Sequence, residues 1–247
     1  IEPLGTEVTF PTSEGTQTMF YVPPSPGETE APERLWVFFG GNAAMALDWL
    51  DLVEAMPRQD TGVLLVDYPG YGVSEGKTSR QAILETVDAS IPALADHLGV
   101  EQDELTTDVN TMGHSMGAAA AMEFAVRYPV KRIILLSPFT SIKDMGRVVV
   151  GPLFMHLATD RFDNRERIRE VAAREDPPVI HIFHGTADGV VPVEMGRELA
   201  RIAPGITTFH PIKNIDHNHV TAPSVARDDI FEAMGLVEET AESSGGQ

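Results

Sequence analysis

The run Gly113-His114-Ser115-Met116-Gly117 constrains this chain more than any other stretch. It follows the strand-like Asp108-Val109-Asn110-Thr111-Met112 and precedes a helical run from Ala118 to Tyr128. A serine between two glycines at a strand-to-helix junction implies a tight turn. Such a turn raises the hydroxyl above a sheet edge, against the positive end of a helix. The serine position is strained there, and the residues two before and two after it must be small to clear neighbouring backbone. Gly-x-Ser-x-Gly alone is a common chance match. With a strand before it and a helix after it, the pattern calls for an acid and then a histidine further along.

The rest of the chain supplies a frame for that turn. The sequence predicts two β segments near Glu7–Phe10 and Thr16–Val22, then a turn-rich Pro23-Pro24-Ser25-Pro26-Gly27. After it, strand-length apolar runs alternate with amphipathic helical spacing. Strands are expected at Leu35–Phe39, Val63–Val66, Val109–Met112, Ile133–Leu136, Val179–Phe183 and Thr207–Ile212. Helices are expected at Ala43–Met56, Ser79–Leu98, Ala118–Tyr128, Val193–Ala203 and Ser224–Met234. Continuous apolar strands separated by amphipathic helices indicate an α/β fold, a mostly parallel eight-stranded sheet covered on both faces. In such sheets ligands bind beyond the carboxyl ends of the strands. One domain over residues 1–237 is expected, with a short cap excursion at about residues 140–176 and a disordered tail at residues 238–247.

Composition removes several function classes. The formal charge is −19, with four lysines and fourteen arginines against 37 acidic residues. Nucleic acid is therefore excluded as an expected partner, since phosphate binding needs basic clusters. An anionic membrane surface would repel the chain, and no apolar run reaches the ~18 residues of a membrane span. No membrane anchor is expected, no signal-peptide pattern is visible, and a soluble, cytoplasmic protein is the expectation. The absence of cysteine excludes a thiol nucleophile, disulfides and thiolate metal sites. Neither a metal nor a cofactor is called for.

Reactive side chains recur at strand ends. The run Val179–Phe183 leads into His184-Gly185-Thr186-Ala187-Asp188, which places a carboxylate just beyond a strand. Thr207–Ile212 leads into Asn214-Ile215-Asp216-His217-Asn218-His219 before the last helix. The order serine, acid, histidine assigns Ser115 as nucleophile, Asp188 as acid and His217 as base, with His219 in reserve. A serine hydroxyl is a poor nucleophile at neutral pH. A neutral imidazole can take its proton, and a carboxylate fixes the imidazole tautomer and stabilises the cation that forms. The tetrahedral oxyanion then needs preorganised amide donors. Met116 is expected to supply one. The second is expected from Gly40-Gly41-Asn42-Ala43, with Asn42 first and Gly41 or Ala43 as alternatives.

Taken together, the chain resembles an α/β-hydrolase over nearly its whole length. Beyond the serine turn, the resemblance rests on Asp67-Tyr68-Pro69-Gly70-Tyr71-Gly72-Val73-Ser74-Glu75-Gly76, Ser137-Pro138-Phe139-Thr140-Ser141 and Asp160-Arg161-Phe162-Asp163-Asn164. These are similar to the Bem46-like branch, which includes the ABHD13- and ABHD17-type serine hydrolases and many bacterial esterases. The resemblance implies the roles already given to Ser115, Asp188 and His217. Two departures stand out. Gly40 occupies the place of the histidine in the branch's usual His-Gly-Asn-Ala, and this sequence contains no cysteine, whereas the eukaryotic depalmitoylases carry a cysteine-rich membrane anchor, so depalmitoylation is not expected to carry over.

The expected activity is hydrolysis of a small-molecule carboxylic ester, of short to medium acyl chain, through an acyl-serine intermediate. Acyl thioesterase, lysophospholipase or monoacylglycerol lipase, serine aminopeptidase and an inactive binding protein are the alternatives. The apolar stretch Ile142–Thr159 is the expected specificity region. Phe154 and Leu157, together with Gly41, are its candidate substrate contacts.

Overall fold

Alternate residues along the central strands enter two different apolar layers, and this period of two fixes the architecture. In β3 (Arg34–Phe39), Leu35, Val37 and Phe39 join one core while Trp36 and Phe38 join the other. The computed structural model describes residues 4–25, 31–148, 162–221 and 225–237. The remaining strands are β1 (Thr6–Thr12), β2 (Gly15–Val22), β4 (Thr61–Val66), β5 (Val109–His114), β6 (Arg132–Leu136), β7 (Val179–Gly185) and β8 (Thr207–Ile212). They form one sheet in the order β1-β2-β4-β3-β5-β6-β7-β8. The pairs β1–β2 and β2–β4 are antiparallel, and every pair from β4–β3 to β7–β8 is parallel.

The helices of the described residues are α1 (Leu50–Ala55), α2 (Arg80–Leu98), α3 (Gln102–Thr106), α4 (Met116–Arg127), α5 (Ile142–Val148), α6 (Asn164–Ala172), α7 (Val193–Ala200) and α8 (Arg227–Ala233). Residues of α2, α4, α6 and α7 pack one face of the sheet, and those of α1 and α8 pack the other. Covering both faces removes almost all apolar strand surface from water, which is the main drive for this arrangement. Because β4 and β5 flank β3 on opposite sides, the chain leaving β3 and the chain leaving β5 diverge. A crevice opens at that switch point, beyond the strands' carboxyl ends.

One expected helix starts late. Instead of running from Ala43, the chain turns at Ala43 (φ 64°), forms a 3-10 turn at Ala46–Trp49 and only then enters α1. A left-handed residue cannot continue a right-handed helix, so the turn sets the boundary. Of the expected cap excursion, Ile142, Met145, Phe162, Ile168 and Val171 are core residues. Phe154, Leu157 and the expected tail lie outside the described residues.

Helix α4 is tied to its neighbours by a buried carboxylate. Glu123 is 3% exposed and pairs with Arg127 of α4 (2.9 Å), Arg167 of α6 (3.3 Å) and Arg80 at the start of α2 (3.6 Å). Removing one partner of a buried ionic cluster leaves the others uncompensated in low dielectric. Glu123→Gln is therefore expected to destabilise the fold by about 3 kcal/mol, read from denaturant titration. A midpoint and slope equal to wild type would contradict this.

Candidate active site

The serine turn has the predicted strain. Ser115 has φ 54° and ψ −112°, sits at the junction of β5 and α4, and is 7% exposed. Its N–H donates to the Leu136 carbonyl (2.9 Å), which fastens the turn to β6. A Cβ on Gly113 would collide with the Gly117 carbonyl, and one on Gly117 would collide with the Phe39 and Gly40 carbonyls. The two glycines thus let α4 begin directly against the end of β3. Met116 is the first residue of α4, so its N–H lies among those a helix leaves unsatisfied at its positive end.

Asp188 and His217 meet across the end of the sheet. His217 Nδ1 lies 2.8 Å from Asp188 Oδ2, and the Asp188 side chain is fully buried. The other oxygen, Oδ1, accepts the Val190 and Val191 amides at 2.9 and 2.8 Å. A second buried histidine, His184, places Nε2 2.9 Å from the Val191 carbonyl and 3.3 Å from Asp188 Oδ2. Burial alone would raise the Asp188 pKa. The bonds from His184, His217 and the Val191 amide outweigh it and hold the carboxyl far below the usual range.

The reserve histidine is not brought in. His219 is largely exposed and pairs with Asp216 (2.7 Å), whose same oxygen also accepts the Asn218 and His219 amides. Asp216 folds its own loop and leaves His217 to Asp188.

Ser115 and His217 line one cavity of about 410 Å³, with Gly41, Asn42, Asp48, Trp49, His114, Val190 and Val220 among its walls. An added Cβ on Gly41 would lie 3.5 Å from the Ser115 Cβ, so the β3 loop passes beside the serine with its backbone exposed to it. The Ala43 N–H is bonded to the Tyr71 hydroxyl (3.1 Å) and the Ala44 N–H to the Gly41 carbonyl (3.2 Å). Ala43 is thereby removed as an amide donor toward the cavity, which leaves Asn42 and Gly41.

His114 was not singled out from the sequence, where it fills a variable position of the turn. Its Nε2 lies 2.9 Å from the His217 carbonyl, and the two rings are 4.7 Å apart at 45°. Burial, then the neighbouring His217, push its pKa down to about 4. A neutral ring donates Nε2–H to that carbonyl. At the far edge of the sheet, His181 and His210 lie 2.9 Å apart, with the His181 pKa pushed down to about 4 and that of His210 also lowered, chiefly by burial.

These three histidines predict acid sensitivity of the fold. Each has a folded-state pKa below the ordinary 6.5, so the unfolded chain binds more protons between about pH 6.5 and 4. Their contribution is complete above 6.5 and is lost as pH falls, toward about 4 for His114 and His181. The thermal midpoint should drop across that window, and His181→Gln with His210→Gln should flatten the drop. An unchanged slope in the double variant would clear the pair.

Among the described residues, no helix is long and apolar enough to cross a membrane. Residues 30–180 match the Hydrolase_4 family, described as serine aminopeptidase, S33. The uncharacterised protein Rv2307c of Mycobacterium tuberculosis is 29% identical over 217 residues, covering 87% of this chain and 73% of that protein. The α/β-hydrolase domain-containing protein 17B of Xenopus laevis is 31% identical over 142 residues, 58% of this chain and 45% of that protein. In fold, the chain is similar to an esterase of Pyrococcus furiosus (TM-score 0.70, 14% identity, 94% of this chain and 90% of that one). It is also similar to the Est1E protein of Butyrivibrio proteoclasticus with ferulic acid bound (TM-score 0.67, 18% identity, 89% and 94%). The family match spans more than half of the chain; with the eight-stranded sheet, it places this protein in the Hydrolase_4 family of the α/β-hydrolase superfamily.

Proposed function

We propose that this hydrolase cleaves carboxylic esters of short to medium acyl chain through an acyl-serine intermediate. Ser115 is the nucleophile, His217 the general base and acid, and Asp188 the group that orients His217. The observation that carries the reading is the 2.8 Å contact between His217 Nδ1 and Asp188 Oδ2, with His217 and Ser115 on one cavity. With Asp188 ionised, Nδ1 keeps its hydrogen and Nε2 is free to accept a proton.

Ser115 Oγ attacks the ester carbonyl carbon as its proton passes to His217 Nε2. The oxyanion accepts the N–H groups of Met116 and Asn42, a contribution of about 3–4 kcal/mol to the barrier for each well-placed donor. As the tetrahedral species collapses, the C–O bond breaks and Nε2 returns the proton to the leaving alkoxide. Water then attacks the acyl-enzyme with the same base. It releases the acid and restores the serine. A cavity of about 410 Å³ is toward the small end for ligand sites and suits a modest acyl group. The esterase names of structural relatives agree with this choice.

Hydrolysis of aminoacyl amides is the second reading. The family description favours it, and so does Asp48, a carboxylate on the cavity wall that a substrate ammonium could meet. Purified protein assayed on p-nitrophenyl esters of rising chain length, a matched thioester and aminoacyl p-nitroanilides separates the two. The ester reading expects the highest kcat/KM on a short or medium ester. Preference for an anilide would replace it with the second.

A further inference from the structure

The loop assigned to the oxyanion lacks the histidine usual in the resembling branch, yet it is held firmly from another strand. The segment after β4 reaches it four times. The Tyr68 hydroxyl donates to the Gly40 carbonyl (3.0 Å), and the Tyr71 hydroxyl donates to Asn42 Oδ1 (2.8 Å). The Tyr71 oxygen also accepts the Ala43 N–H (3.1 Å), and Asp67 Oδ1 accepts the Ala46 N–H (2.7 Å). Tyr68 is almost fully buried, and Tyr71 packs edge-on against it with ring centres 5.6 Å apart. One hydroxyl therefore holds the Asn42 side chain and the N–H of the Asn42–Ala43 peptide together.

That grip falls where the backbone most needs it. Ala43 is a non-glycine residue in the left-handed region (φ 64°), a conformation that persists only when its surroundings hold it. Its amide points at Tyr71, and the preceding peptide, Gly41–Asn42, belongs to the stretch that passes beside Ser115 and lines the same cavity. Without the hydroxyl, Ala43 can relax toward ordinary backbone and rotate the neighbouring amide away.

We infer that Tyr71 is a positioning residue for ester hydrolysis: its hydroxyl holds the Asn42–Ala43 turn so that the Asn42 N–H faces the developing oxyanion. The inference rests on the proposed ester hydrolysis at Ser115. Tyr71 touches the loop and not the reacting atoms, so its loss acts on the transition state more than on substrate binding.

Tyr71→Phe keeps the ring and removes only the hydroxyl. The expected result is a fall of about 10- to 100-fold in kcat, less than the full loss of an oxyanion donor, with KM within about twofold of wild type. Affinity for an alkyl trifluoromethyl ketone, which forms a tetrahedral adduct with the serine, should fall by a similar factor. Asn42→Ala removes the other end of the same bond, so the double variant should be little worse than the poorer single variant. A Tyr71→Phe enzyme with kcat within twofold of wild type overturns the inference, as does a lowered kcat with unchanged ketone affinity. A merely structural role would lower the thermal midpoint and leave kcat in place. If the wild type neither turns over an ester nor forms the ketone adduct, the proposed function fails, and this inference with it.

Discussion

Ser115→Ala is expected to lower ester hydrolysis by about 10⁶-fold, the scale seen when a serine nucleophile is removed from such a site. The thermal midpoint should stay within a few degrees of wild type. Alanine keeps the Cβ and the N–H that donates to the Leu136 carbonyl, and it carries the same φ of 54° without added bulk. The change is confined to the hydroxyl. His217→Ala should cost a similar factor. Asp188→Asn should cost about 10⁴, because the buried carboxylate faces the His217 and His184 rings and two amides, and an asparagine NH₂ group would confront one of those donors. His219→Ala should stay near wild type. The check is kcat on p-nitrophenyl butyrate beside a melting curve, and near-normal turnover by Ser115→Ala would mean that another group is the nucleophile.

The second large effect is on folding. An alanine Cβ at Gly117 would collide with the Phe39 and Gly40 carbonyls, which are backbone atoms at the end of a central strand buried from Leu35 to Phe39. Neither side can yield cheaply. Strand β3 is paired on both edges, and α4 packs an alanine-rich face onto it. Relief would need α4 to lift from the sheet, exposing apolar surface and pulling on the Glu123 cluster. Gly117→Ala should lower stability by about 4 kcal/mol or more, equivalent to roughly 10 °C in the midpoint for a chain of this size. Alanine at the exposed Gly205, where an added Cβ meets nothing within 4 Å, is the control and should leave the midpoint unchanged. Equal midpoints for the two variants would show that the turn is looser than its contacts imply.

Which parts of this molecule can be read from the chain follows from the range of the interactions involved. The eight strands were legible because burial on both faces leaves uninterrupted runs such as Leu35–Phe39 and Ile133–Leu136. The serine turn was legible because its glycines answer a local steric demand. Ser115, Asp188 and His217 could be named as candidates from their order at strand ends. The choice between His217 and His219 depends on a contact across 29 residues, from Asp188 to His217, and only folding supplies it. Helical spacing suggested a helix from Ala43, but the Tyr71 hydroxyl and the left-handed Ala43 overrode it. Nothing within four residues of Ala43 announces that partner. His114 and His184 were passed over for a similar reason. One occupies a variable position of the turn and the other follows the expected strand Val179–Phe183, whereas burial against His217 and Asp188 gives each its place.

If Ser115 is an activated nucleophile, a fluorophosphonate should label it without any knowledge of the natural substrate. Intact-protein and peptide mass spectrometry would be run on the folded wild type, Ser115→Ala and His217→Ala. The expected result is one adduct per chain on the peptide carrying Ser115, absent from Ser115→Ala and strongly slowed in His217→Ala. A folded wild-type protein that stays unlabelled, or one labelled at another residue, would contradict it.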